Sequence, residues 1–181
     1  MLLVKKHYAD LDIKTQLVAT LTNCLAGSEL EPLFIFIGSD RHILDCLGPL
    51  AGSMLLGKCP DLLIYGSLDS PLHAKNLVRE LQLIKAAYPG HLQVAIDASL
   101  GKKEDLGTIK IRQGALIPGK ALSRRLPPVG DIAITGIVGS EFDKKRPEYI
   151  HYGSLKDVYH MSKVISEVIY EWNEKRLLIS S

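Results

Sequence analysis

Three side chains able to do acid–base or metal chemistry stand just beyond apolar runs of this chain. They are Asp45 in GSDRHILDCLGPLAG, Asp97 in AIDASLG and His151 in YIHYGSLKD. They are 52 and 54 residues apart, so only tertiary structure can unite them. Two carboxylates held close cannot both ionise freely: one is driven to keep its proton while the other stays basic. That is the equipment of general acid–base hydrolysis. With an imidazole added, the same pair forms a mixed oxygen and nitrogen donor set suited to a borderline divalent ion such as zinc or nickel. Each residue also has a plainer reading. Asp45 could cap the helix it opens. Asp97 could be a turn residue at a strand end, although Ala95, Ile96 and Ala98 around it would make an unpaired carboxylate costly. His151 could be a solvated loop residue.

Other candidates carry less. Cys46 is placed for a thiolate beside a helix N-terminus, yet no second cysteine or spaced histidine supports it, and free cysteines usually pack as small apolar groups. Gly48 and Gly52 do not make a dinucleotide fingerprint, and Gly57-Lys58-Cys59 lacks the hydroxyl of a P-loop. His42 and His73 each follow a strand and could approach the same site, without a paired motif. Arg124-Arg125 and Lys144-Lys145-Arg146 read as solvated loop charges that could attract a substrate.

The elements that must position these groups follow from periodicity. Residues 13–25 have amphipathic helical spacing, ended by Gly27-Ser28 and Pro32. LFIFI at 33–37 is a wholly apolar run, as in a strand buried on both faces. Residues 45–56 read as a helix of small and apolar residues, 62–65 as a second buried strand, 71–88 as a helix and 92–96 as a third strand. Strands at 108–111 and 132–138 flank a loop rich in Gly and Pro. A helix over 154–178 closes the chain, opened by Ser154 and Asp157 as the aspartate form of a capping box. This βαβαβ order implies a three-layer α/β/α sandwich around a mostly parallel mixed sheet. In such folds the site forms where the carboxyl ends of the strands meet the following helices.

Composition bounds the function class. The chain has 181 residues, the size of one domain, with 46% apolar and 23% charged residues. The net charge of +2 and only 6% aromatics argue against a nucleic-acid or membrane-surface partner. Three cysteines without a C-x-x-C pair suggest neither a disulfide framework nor a zinc knuckle. MLLVKKHYADLDIK places its charges after the apolar start, the reverse of a signal peptide, and no apolar stretch approaches the length of a spanning helix. The expected compartment is the cytoplasm. The closing helix, with Tyr159, Tyr170 and Trp172, could pack within the chain or against a second copy as a homo-oligomer.

IFIGSDRHILDCLGPLAGSMLLG, YGSLDSPLHAKNL, AIDASLG and VGDIAITGIVG, in that order, resemble the sporulation protein YyaC family, itself similar to the germination protease of spore-forming bacteria. The resemblance covers residues 31–170. The germination protease pattern has one aspartate ahead of Ala-Leu-Gly-Pro and another at an Asp-Ala-Leu strand end. Here these fall on Asp45, with Cys46 in place of alanine, and on Asp97. Hydrogenase maturation endopeptidases share this phosphorylase/hydrolase-like fold. Their first motif places a metal-binding glutamate seven residues after a glycine, which lands on Asp45 counted from Gly38, with Ser39 where asparagine is usual. Their second acidic ligand falls on Asp97, and their histidine followed four residues later by leucine resembles His151 with Leu155.

The resemblance implies a single peptidase-like domain over 1–181, in a spore or forespore, cleaving a peptide or protein substrate with Asp45 and Asp97. It also offers Asp45, Asp97 and His151 as a nickel or zinc site. Which aspartate acts as acid stays open. A different class of function is a catalytically silent binding or assembly protein of spore formation. Phosphorylase chemistry would need an Arg/Ser phosphate motif that the sequence lacks.

Overall fold

The computed structural model describes residues 1–118, 126–140 and 154–180. Its strands are β1 (Leu2–His7), β2 (Leu33–Phe36), β3 (Leu63–Tyr65), β4 (Gln93–Gly101), β5 (Thr108–Gln113) and β6 (Ile132–Ser140). Its α-helices are α1 (Ile13–Leu25), α2 (Leu47–Leu56), α3 (Leu77–Ala87) and α4 (Leu155–Ser180). The strands form one sheet in the order β1-β5-β6-β4-β2-β3. β3, β2, β4 and β6 run parallel, whereas β5 is antiparallel to both β6 and β1.

The alternation of side chains along a strand builds the three layers. Phe34, Phe36, Val94 and Ile96 point to one face, where they pack with Leu17 and Leu21 of α1, Leu47 and Leu55 of α2, and Met161 and Ile165 of α4. Leu33, Ile35 and Ala95 point to the other, against Leu77, Leu81 and Ile84 of α3. The apolar run of β2 is therefore buried on both faces, as its composition requires; each such side chain contributes about 1.5–3 kcal/mol. No helix among the described residues is long and apolar enough to cross a membrane.

Several elements differ from the expected bounds, each for a local reason. A helix beginning at Asp45 would need a hydrogen bond from the residue 49 nitrogen to the Asp45 carbonyl, and Pro49 has no N–H. The chain instead makes a short 3₁₀ turn over Ile43–Asp45 before α2, and the Asp45 carbonyl accepts the Ser39 N–H at 2.9 Å. α3 starts at Leu77 because residues before it are held elsewhere: Leu72 bridges to Ile37, and Asn76 Oδ1 accepts the His73 N–H at 2.9 Å. β3 is a half-buried edge strand rather than one buried on both faces. β4 continues to Gly101, so Asp97 is a strand residue and not a turn residue. β1 was not expected: its Lys5 and Lys6 break the apolar pattern, yet at a sheet edge they pair outward with Asp105 at 2.5 Å and Asp12 at 2.8 Å.

α4 begins as its sequence predicts. The Asp157 N–H donates to Ser154 Oγ at 3.2 Å, and the Ser154 N–H returns to Asp157 Oδ2 at 3.1 Å. Tyr8 OH adds a 2.8 Å bond to Asp157 Oδ1, fixing this end of the helix beside β1. Three turns beyond Met161, the helix still packs inward through Trp172, which meets Phe34 edge-on at 5.7 Å and lies under Arg176 at 4.9 Å. Arg176 also forms a paired ion bridge with Glu31, ahead of β2.

Candidate active site

β2 and β4 are adjacent and parallel, so the segments leaving their carboxyl ends are neighbours. Gly38 leaves β2 with φ 140°, a backbone region that favours glycine, and a Cβ there would fall 2.0 Å from the Asp45 carbonyl oxygen. That contact and the Ser39–Asp45 hydrogen bond hold the 3₁₀ turn against the strand end. α2 is seated the same way. A Cβ on Gly48 would lie 2.1 Å from the Ile37 oxygen, and one on Gly52 2.1 Å from the Gly66 oxygen. The two glycines thus bring α2 into backbone contact with the strand ends and fix the turn that carries Asp45.

Asp97 extends β4 on the Ala95 face and is only 8% exposed. Asp45 and Asp97 line one cavity with Ile37, Gly38, His73, Ala74, Pro118 and Leu126. Its volume is about 20 Å³, room for one water molecule. The two expected carboxylates are therefore together, and they are differently tuned. Burial pushes the Asp97 carboxyl well above the usual carboxylate range, and the charge of Asp45 pushes it further, with only the Ala98 backbone N–H opposing. Burial raises Asp45 as well, but His42, His73 and the Ser39 N–H counter it. The arrangement favours a proton on Asp97 and a charge on Asp45.

The remaining candidates separate. Cys46 Sγ donates to the Ile43 carbonyl at 3.4 Å, and burial, with Asp45 adding to it, raises its thiol, which disfavours a nucleophilic thiolate. His42 Nδ1 accepts the Leu44 N–H at 3.2 Å and so caps the 3₁₀ turn. His151, Arg124, Arg125, Lys144, Lys145 and Arg146 lie outside the described residues. Among the described residues no three His, Cys, Asp or Glu side chains converge closely enough to hold a metal ion. Asp45 and Asp97 supply two carboxylate donors, but the described residues do not complete a nickel or zinc site.

His73 is the residue that sequence reasoning undervalued. By sequence it is only a histidine after a strand, yet it lines the cavity. The available signal was the helix start His73-x-x-Asn76, in which Asn76 fixes the backbone of the residue that precedes α3.

Among solved structures, that of the [NiFe] hydrogenase maturation protease HycI from Thermococcus kodakarensis KOD1 shares this fold with a TM-score of 0.56 at 19% identity. The match covers 84% of this chain and 97% of that one. The uncharacterized protein YyaC of Bacillus subtilis (strain 168) is 30% identical over 188 aligned positions, spanning 96% of this chain and 89% of its relative. The family described as protein of unknown function DUF1256 matches residues 5–168, which include Asp45, His73, Asp97 and every strand from β2 to β6. On both the family match and its relative, the chain belongs to the DUF1256 family.

Proposed function

We infer that the protein is a peptidase that hydrolyses peptide bonds with the Asp45–Asp97 pair, acting in spore formation or germination. The observation that carries this reading is the shared cavity, sized for one water and lined by two carboxylates of unequal basicity. The protease-like fold supports the peptidase part of it.

The chemistry follows from the unequal protonation. Asp45, as carboxylate, takes a proton from the water while the water oxygen bonds to the scissile carbonyl carbon and the C=O electron pair moves onto oxygen. When the C=O re-forms, the C–N bond breaks and Asp97 gives its proton to the departing nitrogen. Water is consumed, a carboxylic acid and an amine leave, and one proton has passed from Asp97 to Asp45. Exchange with solvent resets the pair, whose protons titrate jointly.

The test is digestion of a proteome-derived peptide library with the purified full chain, with new termini read by mass spectrometry. Wild type should generate a consistent set of cuts, and Asp45→Asn and Asp97→Asn should each lower the rate roughly 10²- to 10⁴-fold. Cleavage by either variant at the wild-type rate would remove the pair from the mechanism. A folded wild type that cuts nothing would make the chain a binding or assembly protein instead.

A further inference from the structure

β4 outruns the strand beside it. β2 pairs with it only as far as Phe36 opposite Ile96, whereas β6 follows it to Gly101. Along a strand, alternate residues turn their main-chain groups to opposite neighbours. The Gln93 carbonyl accepts the Asp131 N–H at 2.7 Å on the β6 side, and the Ile96 carbonyl accepts the Ile37 N–H at 2.7 Å on the β2 side. Ala98 and Leu100, in step with Ile96, therefore face the side where β2 has stopped. The bulge beyond Ser99 is on β6, which skips Val138, so β4 keeps its alternation. The chain that could have continued β2 is diverted. Gly38 donates to the Leu72 carbonyl at 2.8 Å, and Ser39, the next residue in step to bond β4, donates to the Asp45 carbonyl instead. Among the described residues, the Ala98 carbonyl and the Leu100 N–H are left without a cross-strand partner, and Ala98–Gly101 are half-exposed.

An open strand edge is a template for another extended chain, because its unpaired N–H and C=O groups bond main chain of any sequence. This edge begins one residue after Asp97, on the same strand. Resting on the peptidase reading above, we propose that the substrate is an extended peptide segment that adds to the sheet along Ala98–Gly101, in the place β2 vacates. A substrate N–H donates to the Ala98 carbonyl, and the Leu100 N–H donates to a substrate carbonyl. Paired strands lie about 4.8 Å apart, so main chain seated there runs beside β4 toward the cavity that Asp97 shares with Asp45. Two consequences follow from the chemistry of that contact. Recognition depends on main chain more than on side chains. Segments already paired in a folded sheet or helix are excluded, which leaves unstructured tails and loops as the substrate class.

The test uses a peptide that wild type cuts from the library, N-methylated at one amide at a time on either side of the scissile bond. Methylating the amide that donates to Ala98 should raise KM about tenfold or more with kcat little changed, since a hydrogen bond is lost and a methyl enters the strand contact. Sensitive positions should number one, or two that are two residues apart, while the residues next to them stay within about twofold. On the protein side, Leu100→Pro removes the donor at a strand edge where proline is tolerated, and should raise KM roughly three- to tenfold. Leu100→Ala keeps the N–H and should stay within about twofold of wild type. Uniform tolerance of methylation, sensitivity at adjacent residues, a wild-type KM for the proline variant, or an alanine variant as impaired as proline overturns the proposal and leaves the carboxylate mechanism standing. No cleavage by wild type overturns the peptidase reading and this binding mode with it. If the proline variant fails to fold, the methylation series decides alone.

Discussion

A carboxyl group that keeps its proton inside the fold but loses it in the unfolded chain makes stability depend on pH. Asp97 is such a group, raised first by burial and then by Asp45. Because its folded value lies above its unfolded one, its favourable contribution is complete below the ordinary carboxylate range. That contribution is lost as pH rises through the folded value, and the sign is the same for Asp45. Asp97→Asn removes the ionisable group, so the stability of this variant relative to wild type should grow between pH 4 and pH 8 in urea unfolding. A constant difference across that range would show that Asp97 ionises as readily in the fold as outside it. The residues of this site were unequally legible in the sequence. Asp45 and Asp97 stood out because each follows an apolar strand, where a carboxylate is expensive without purpose. His73 did not, because nothing local to SPLHAKN says that Leu72 will join the end of β2 and bring the next residue to the cavity.

The elements hold the site by backbone contact more than by side-chain packing. Gly48 and Gly52, one turn apart on α2, rest on the Ile37 and Gly66 carbonyls, so any side chain at either position would push the helix off the strand ends. Gly52→Ala should lower stability by about 1–3 kcal/mol or more, because its Cβ meets backbone that cannot rotate away. An unchanged urea midpoint would mean that α2 can shift without cost. Sequence periodicity located α1 and the start of α4 closely, since an amphipathic stripe in one and a reciprocal cap in the other are local signals. It misjudged the entry to α2, where a missing proline N–H had to be weighed against a tertiary hydrogen bond from Ser39. It also missed β1, whose lysines are compatible with a strand only because they lie at an edge.

Across the whole molecule, stability should grade from the middle of the sheet outward. β4 lies between β6 and β2 with helices covering both faces, while β1 and β3 each have one neighbour. Hydrogen exchange should therefore be slowest for the amides of β4 and β6, opening only on global unfolding, and fastest among strands for Leu2–His7 and Leu63–Tyr65. Equal protection of the three-residue β3 and of β4 would contradict this order. The parallel centre was readable from its buried apolar runs. The antiparallel β5 and β1 were not, because strand direction depends on what a segment meets at the sheet edge rather than on its own composition. One consequence of the packing is practical. The chain has a single tryptophan, and Trp172 is seated under Arg176 against Phe34, on the face of the sheet opposite Asp97. Its fluorescence will report the collapse of the core and stay silent when the cavity fills, so unfolding and occupancy can be followed as separate optical signals in one sample.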